Sequence, residues 1–330
     1  MVRLNPIPII RGAIIRILTK ARQITIPGFK QVPLYDVGVF YMNGIANGAI
    51  GVRASGISFN FFMAIFPSII FLFTLIPFIP IPNFQNQLIA LMQTVLPSNT
   101  FQAVENTIID ITTHKRGSLL SIGFLAALFF STNGISALIA AFNASANAFE
   151  NRKWLSMRLI AILLVIILFL LLTLATGLII FGQTLLKFLV SHGIIQTGFS
   201  QVLFISGQWL IILAFILFSL SFLYYYAPSN RSEYRFFSPG AIMATILIIV
   251  TSLFFSFYLS RFGQYNKLYG SIGTLLALLI WLNISSFVIL IGFELNVSIH
   301  NAEKGMKKEL ELSDNSKDYE RFYPQVDDIL

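Results

Sequence analysis

Six apolar stretches of spanning length, the near absence of charge inside them, and a one-sided distribution of Lys and Arg predict an all-α integral membrane protein, a six-transmembrane-helix bundle. The stretches run over 57–82, 118–142, 159–182, 203–226, 239–260 and 271–298, each at least 22 residues long, where a bilayer core needs about 20. Glu294 is the one formally charged side chain within all six. Composition agrees, with 56% hydrophobic residues, 11% charged residues and a mean hydropathy of +0.79, far from the roughly one quarter charged that soluble domains carry. The membrane domain is thus expected over 57–298, after an interfacial segment at 1–56 and before a charged tail at 299–330. The chain has no cysteine, so disulfides and thiolate chemistry are excluded.

Positively charged loops resist translocation and stay cytoplasmic. Alternate connections, together with both terminal segments, hold 17 Lys and Arg, against five (Lys115, Arg116, Lys187, Arg261, Lys267) on the other side. Both termini are therefore expected to be cytoplasmic.

Before the first span, Arg11 and Arg16 interrupt the apolar residues and argue against a cleavable signal peptide. On a helical wheel Ile10, Ala13, Ile14, Ile17, Leu18 and Ala21 share one side, flanked by Arg11, Arg16, Lys20 and Arg22. This predicts an N-terminal amphipathic helix lying on anionic inner-leaflet headgroups, the partners expected here. Between Val32 and Ser55 the small residues Gly38, Gly44, Ala46, Gly48, Ala49 and Gly51 allow a second helix to lie close to the bundle.

Pro67 lies inside the first span and predicts a kink or break near mid-depth. The connection 83–117 is too long for a bare turn. Leu88, Met92, Val95 and Leu96, then Phe101, Val104, Ile108 and Ile111, repeat at helical spacing and predict two amphipathic helices on the outer membrane face.

In the second span Ser136, Ala140, Ala144 and Ala148 fall four apart, with Ala137, Ala141 and Ser145 beside them. Small residues at that spacing let helices approach closely. Asn133 is a polar exception, and Asn143, Asn147 and Glu150 form a stripe leaving the membrane on the cytoplasmic side. Either helix–helix hydrogen bonding or substrate contact accounts for such residues.

The last span is the most polar. Asn283, Ser286 and Glu294 lie within about 60° of one another at 3.6 residues per turn, while Ser285, Gly292 and Asn296 mark another face; both are expected to meet protein or water. An intramembrane carboxylate is costly and by default suggests function. Three readings of Glu294 stay open: a structural ion pair with Arg53, Arg152 or Arg158, a proton- or ion-coupling group, and a snorkelling carboxylate. With the kinked first span these residues make the candidate membrane site: Glu294, Asn283, Ser286, Asn296, Asn133, Arg53 and Pro67.

Several short motifs resemble the YihY/BrkB family of bacterial inner-membrane proteins. They are Pro228 with Asn230 and Arg231, Pro239–Gly240–Ala241, Tyr258–Leu259, Tyr269–Gly270–Ser271–Ile272–Gly273, Leu279 with Trp281, and Gly292–Phe293–Glu294–Leu295–Asn296. Phe59 to Pro67 and Ser131–Thr132–Asn133–Gly134 add to the set, which spans about 53–300. Phe293 replaces the small residue usual in the family, and Asn283 replaces an aromatic. The resemblance implies a multi-pass protein of the bacterial cytoplasmic membrane and carries topology without mechanism, since the family's activity is unsettled.

The family has carried a ribonuclease label. Metal-dependent phosphodiester hydrolysis needs clustered His, Asp or Glu, yet His114, His192 and His300 are scattered and no Asp lies in a span. Neither a phosphate loop nor paired carboxylates nor a cofactor motif is visible, and the basic residues that could hold RNA are already required by topology. Catalysis, a cofactor, a metal and a nucleic-acid partner are therefore not expected. Translocation of a lipid or small solute is the leading reading, and a non-catalytic envelope or scaffold protein is the alternative. The tail, with five basic and eight acidic residues from Asn301, is expected to be solvated and helical at first, from Ala302 to Leu312.

Overall fold

The computed structural model describes residues 24–26, 28–78, 109–110, 115–145, 152–229, 235–261 and 271–322. Seven helices make up these residues: α1 (Leu34–Asn47), α2 (Ile50–Leu75), α3 (Gly117–Ser145), α4 (Trp154–Ser191), α5 (Thr197–Tyr226), α6 (Pro239–Arg261) and α7 (Ser271–Phe322). Over its described residues each of the six apolar stretches falls on one of the helices α2 to α7, the first continuing into a 3-10 turn at Ile76–Phe78, and all six helices are long and apolar enough to cross a membrane. The expected amphipathic helix at 1–22 lies outside the described residues, as do the residues of 83–117 other than 109–110 and 115–117, and Asn147 and Glu150.

The helices overrun the apolar stretches. α4 continues to Ser191 and α7 runs on to Phe322 as a 52-residue helix, because backbone hydrogen bonding does not stop where apolar character does. α2 passes through Pro67 without interruption, which corrects the expectation of a break. Proline removes its own N–H and crowds the preceding turn. At that weakened turn the Ser68 hydroxyl donates to the Ala64 carbonyl at 2.7 Å.

The spans close into a ring: α2 packs on α3, α3 on α4, α4 on α5, α5 on α6, α6 on α7, and α7 on α2. α1 packs on α7. The main core is gathered toward one end, built from Ile50, Ala54 and Ile57 of α2, Ile135 to Phe142 of α3, Ala161 and Leu164 of α4, and Leu220 to Tyr224 of α5, with Ala241, Ala244, Val288, Leu290, Phe293 and Val297 from α6 and α7. This is the end where α2, α4 and α6 begin and α3, α5 and α7 leave the ring; it carries the Lys- and Arg-rich segments and is called here the basic end.

Toward the far end burial falls away on α4, α5 and α6. On α4 beyond Leu170 a narrow stripe through Leu171, Ala175, Ile179, Gly182, Leu186 and Leu189, with Val190, is half-buried, and the other positions are exposed. The α2–α3 pair is the exception, since Gly134 lies against the Phe61 ring and Gly123 against the Phe71 backbone. On α3 the packed small-residue face is Ala141 and Ser145, with Ala137 partly buried. Ala140 and Ala144 are exposed, so the close-packed stripe is shifted by one residue from the one that began at Ser136.

α1 and the preceding turn brace the extension of α7. Gly28, Lys30 and Gln31 have positive φ (97°, 52° and 65°) and reverse the chain, so that Leu34 N–H reaches the Ile24 carbonyl at 2.9 Å. Phe29, Val32 and Val37 then pack on Ile299 and Ala302, and Lys30 Nζ binds Glu303 Oε2 at 2.6 Å.

Candidate functional site

Glu294 is 4% exposed, and α1, α3 and α7 meet at its carboxylate. Gly44 of α1 lies directly on Glu294 Oε1, with no room for a Cβ. Ser145, at the end of α3, lies beside the carboxylate, and among the described residues Glu294 Oε2 has no hydrogen-bond partner.

Arg53 reaches the same site from the start of α2. Its Nη1 donates to the Ala141 carbonyl and to Ser145 Oγ, each at 2.8 Å, and its Nη2 donates to the Gly48 carbonyl. The guanidinium thus clamps the α1–α2 corner, where Ala49 is held at φ +46°, a conformation uncommon for a residue with a Cβ. Arg53 and Glu294 thus share Ser145 as a neighbour. Two backbone carbonyls and a hydroxyl take three of the five guanidinium donors, and the ion pair with Arg53, one of the three readings open for Glu294, is not among these contacts. The other two candidate partners are also engaged elsewhere: Arg152 donates to the Ala227 carbonyl at 2.9 Å, and Arg158 to Asn133 Oδ1 at 2.6 Å.

The remaining candidates divide among helix contacts. Asn283 donates to Ser55 Oγ on α2 at 3.1 Å, and Ser286 is buried on the same helix. Asn296 faces α6, accepting from Gly240 N–H and donating to Ser238 Oγ, both at 2.8 Å. Gly292 and Gly240 are in backbone contact, so both polar faces of α7 meet protein. Asn133 belongs to the α3–α4 contact through Arg158 and does not join the α7 stripe. Pro67 lies 14 residues beyond Arg53 along α2, about 21 Å at 1.5 Å per residue, and so apart from the Glu294 cluster. Asn143 accepts from Ser229 N–H at 2.9 Å and from its hydroxyl at 3.1 Å, which ties the end of α3 to the segment after α5.

Beside the Glu294 cluster an aromatic group closes the ring. Phe142 of α3, Tyr224 of α5 and Phe293 of α7 are all 0% exposed. Their centroids lie 4.3 Å (Phe142–Phe293), 5.5 Å (Phe142–Tyr224) and 5.6 Å (Tyr224–Phe293) apart, and Tyr224 Oη donates to the Ile289 carbonyl at 2.6 Å. These three helices alternate around the ring, so their rings meet across its centre. Sequence reading marked Phe293 as a departure but did not foresee the group, and it missed Ser145 and Gly44 as neighbours of Glu294. Placing small residues against a buried carboxylate is the signal that could have found the last two.

The sequence profile described as Virulence factor BrkB matches residues 44–316, which takes in the Glu294 cluster, the aromatic group and all six spans. The chain belongs to the BrkB family. It is 30% identical to a putative ribonuclease-like protein, YfkH, of Bacillus subtilis (strain 168) over 76% of this chain and 90% of that one. A UPF0761 membrane protein of Idiomarina loihiensis is 26% identical over 64% of this chain and 71% of its own length. Another, from Pseudoalteromonas translucida, is 35% identical over 29% of this chain and 33% of its own. No solved structure matches the chain. It is a membrane protein of this family, and nothing in the comparisons gives positive evidence of catalysis.

Proposed function

We propose that this protein translocates a lipid or small solute across the bacterial cytoplasmic membrane, with its basic end and both termini in the cytoplasm, and that the state described here is closed at that end. The observation that carries the reading is the meeting of Phe142, Tyr224 and Phe293 across a ring of six helices whose core lies toward one end. Six helices in a ring enclose a lumen unless side chains fill it. Here they fill it at the basic end, whereas on α4 only one stripe is half-buried toward the far end. A bundle tightly packed at one end and less so at the other fits one half of an alternating-access cycle. Glu294, with an oxygen that no donor among the described residues satisfies, supplies the intramembrane carboxylate that such a pathway uses to bind a cation or polar group.

The alternative is a non-catalytic envelope scaffold. It is favoured by the hydrogen bonds that Asn283 and Asn296 make within the protein, which leave those side chains no need of a ligand. Among the described residues no three His, Asp or Glu side chains converge as a metal site would require, and the ribonuclease name of the Bacillus subtilis relative is not carried over.

The cysteine-free chain allows a direct test. Single cysteines at Asn283, Ser286, Leu290 and Glu294 descend α7 toward the basic end and can be labelled in oriented vesicles with a membrane-impermeant maleimide. Translocation predicts that N283C reacts from the far side and E294C from the basic side. It also predicts that Phe293→Ala makes L290C reactive from both. If all four stay unlabelled from both sides, with and without Phe293→Ala, the ring is a solid bundle and the scaffold reading replaces this one.

A further inference from the structure

We propose that a half-open cleft at the basic end, between the N-terminal turn, the start of α6 and the extension of α7, binds a phosphate group. Gly28, Lys30, Arg235, Ser238, Asn296 and His300 line it. It is separate from the Glu294 cluster, and it does not depend on translocation.

Three observations specify the ligand. The first is charge. Lys30 and Arg235 bring two cations to the lining, and the neighbouring Glu303 takes Lys30 at 2.6 Å and Lys307 at 2.9 Å. With Lys30 paired to Glu303, the charge left over in the lining is that of Arg235, which makes no hydrogen bond or ion pair with the described residues. The second is the Ser238 hydroxyl, 3% exposed. Its oxygen accepts from Ala241 N–H at 3.2 Å and from Asn296 Nδ2 at 2.8 Å, which occupies both lone pairs. The hydroxyl proton has no acceptor among the described residues, and the group borders the cleft, where a ligand oxygen would take it. A buried donor left without a partner is costly.

The third observation excludes a simpler basis. Gly240 N–H is bound by Asn296, Ala241 N–H by Ser238 Oγ and Ile242 N–H by the Ser238 carbonyl. The first turn of α6 therefore has its own donors occupied and does not make the site. What remains is one neutral O–H donor and an uncommitted guanidinium lining the same cleft, with a lysine and a histidine beside them. Guanidinium recognises phosphate oxygens with two parallel donors. A phosphate, mono- or diester, matches this set: one oxygen to Ser238, two to Arg235. The group can be the headgroup phosphate of an inner-leaflet lipid or a soluble phosphate ester.

Thermal unfolding of the full chain in neutral detergent separates these sources. One arm adds inorganic phosphate against chloride at matched ionic strength, and the other adds phosphatidylglycerol against phosphatidylcholine. A rise in midpoint with both probes, or with either alone, supports the site. The lipid alone identifies a headgroup, and inorganic phosphate alone a soluble ester. Arg235→Gln should raise the half-saturating concentration about tenfold, the effect of losing one charge-assisted contact, and Ser238→Ala should raise it by a smaller factor. Lys187→Gln, a cation of the opposite end, should leave it unchanged. No shift with either probe overturns the proposal, and so does the same shift in Arg235→Gln as in the unsubstituted chain.

Discussion

Gly44 has no room for a Cβ because Glu294 Oε1 occupies that space, so Gly44→Ala tests whether the carboxylate is held where the structure places it. Two effects oppose each other. Alanine favours helix over glycine by about 1 kcal/mol, whereas a methyl group forced against packed atoms costs about 1–3 kcal/mol. In the unsubstituted chain the sum ranges from near neutral to about 2 kcal/mol destabilising. Once Glu294→Ala has removed the carboxylate, only the helix term remains and Gly44→Ala should stabilise by up to about 1 kcal/mol. The coupling energy between the two sites is therefore about 1–3 kcal/mol, the overpacking term itself. Reversible unfolding of the four proteins in mixed micelles measures it. If Gly44→Ala has the same effect with and without Glu294, α1 does not rest on the carboxylate and the cluster is misassembled.

Four further outcomes follow from single contacts. Tyr224→Phe removes a buried hydrogen bond to the Ile289 carbonyl and should cost about 0.6–1.7 kcal/mol in the same assay, the range for polar contacts between membrane helices. Asn296→Ala leaves Gly240 N–H without its acceptor, with a loss of about 1–3 kcal/mol in unfolding midpoint analysis. Gly240→Ala places a methyl group against the Gly292 carbonyl, and a cross-link between single cysteines on α6 and α7 should fall in yield as the helices separate. Phe293→Ala empties the centre of the ring, with a cost of about 3–5 kcal/mol on the scale for buried aromatics; in vesicles it should also raise dye leakage if the aromatic group is the seal.

The six spans were legible because spanning is a matter of length and apolar content, both of which are local. The helix ends were less so: α4 reaches Ser191 although its apolar stretch was bounded at 182, since a helix can continue through Gln183, Thr184 and Lys187 without burying them. The two-faced character of α7 was also readable, from the angular positions of Asn283, Glu294 and Asn296. Their partners were not. Arg53 and Ser145 stand 92 residues apart and meet only because α2 and α3 are antiparallel neighbours, and no periodicity in either helix encodes that meeting. Asn133 looked equivalent to Asn283 as a polar group in a span, yet Arg158 claims it for the α3–α4 contact. The order of helices around the ring, and hence which side chains share its centre, arises from tertiary packing alone.

α7 carries Asn283, Glu294, Asn296 and Glu303 on one uninterrupted helix from Ser271 to Phe322. At 1.5 Å per residue those 52 residues extend about 78 Å, more than twice the roughly 30 Å of a bilayer core. A helix without a break transmits torque. The backbone that carries Glu294 and Phe293 is continuous with the turns beyond Glu303, so rotation of those turns about the helix axis and rotation of Glu294 against Ser145 and of Phe293 against Phe142 are one motion. The extension is in mechanical terms a shaft, with the Lys30–Glu303 contact as its bearing.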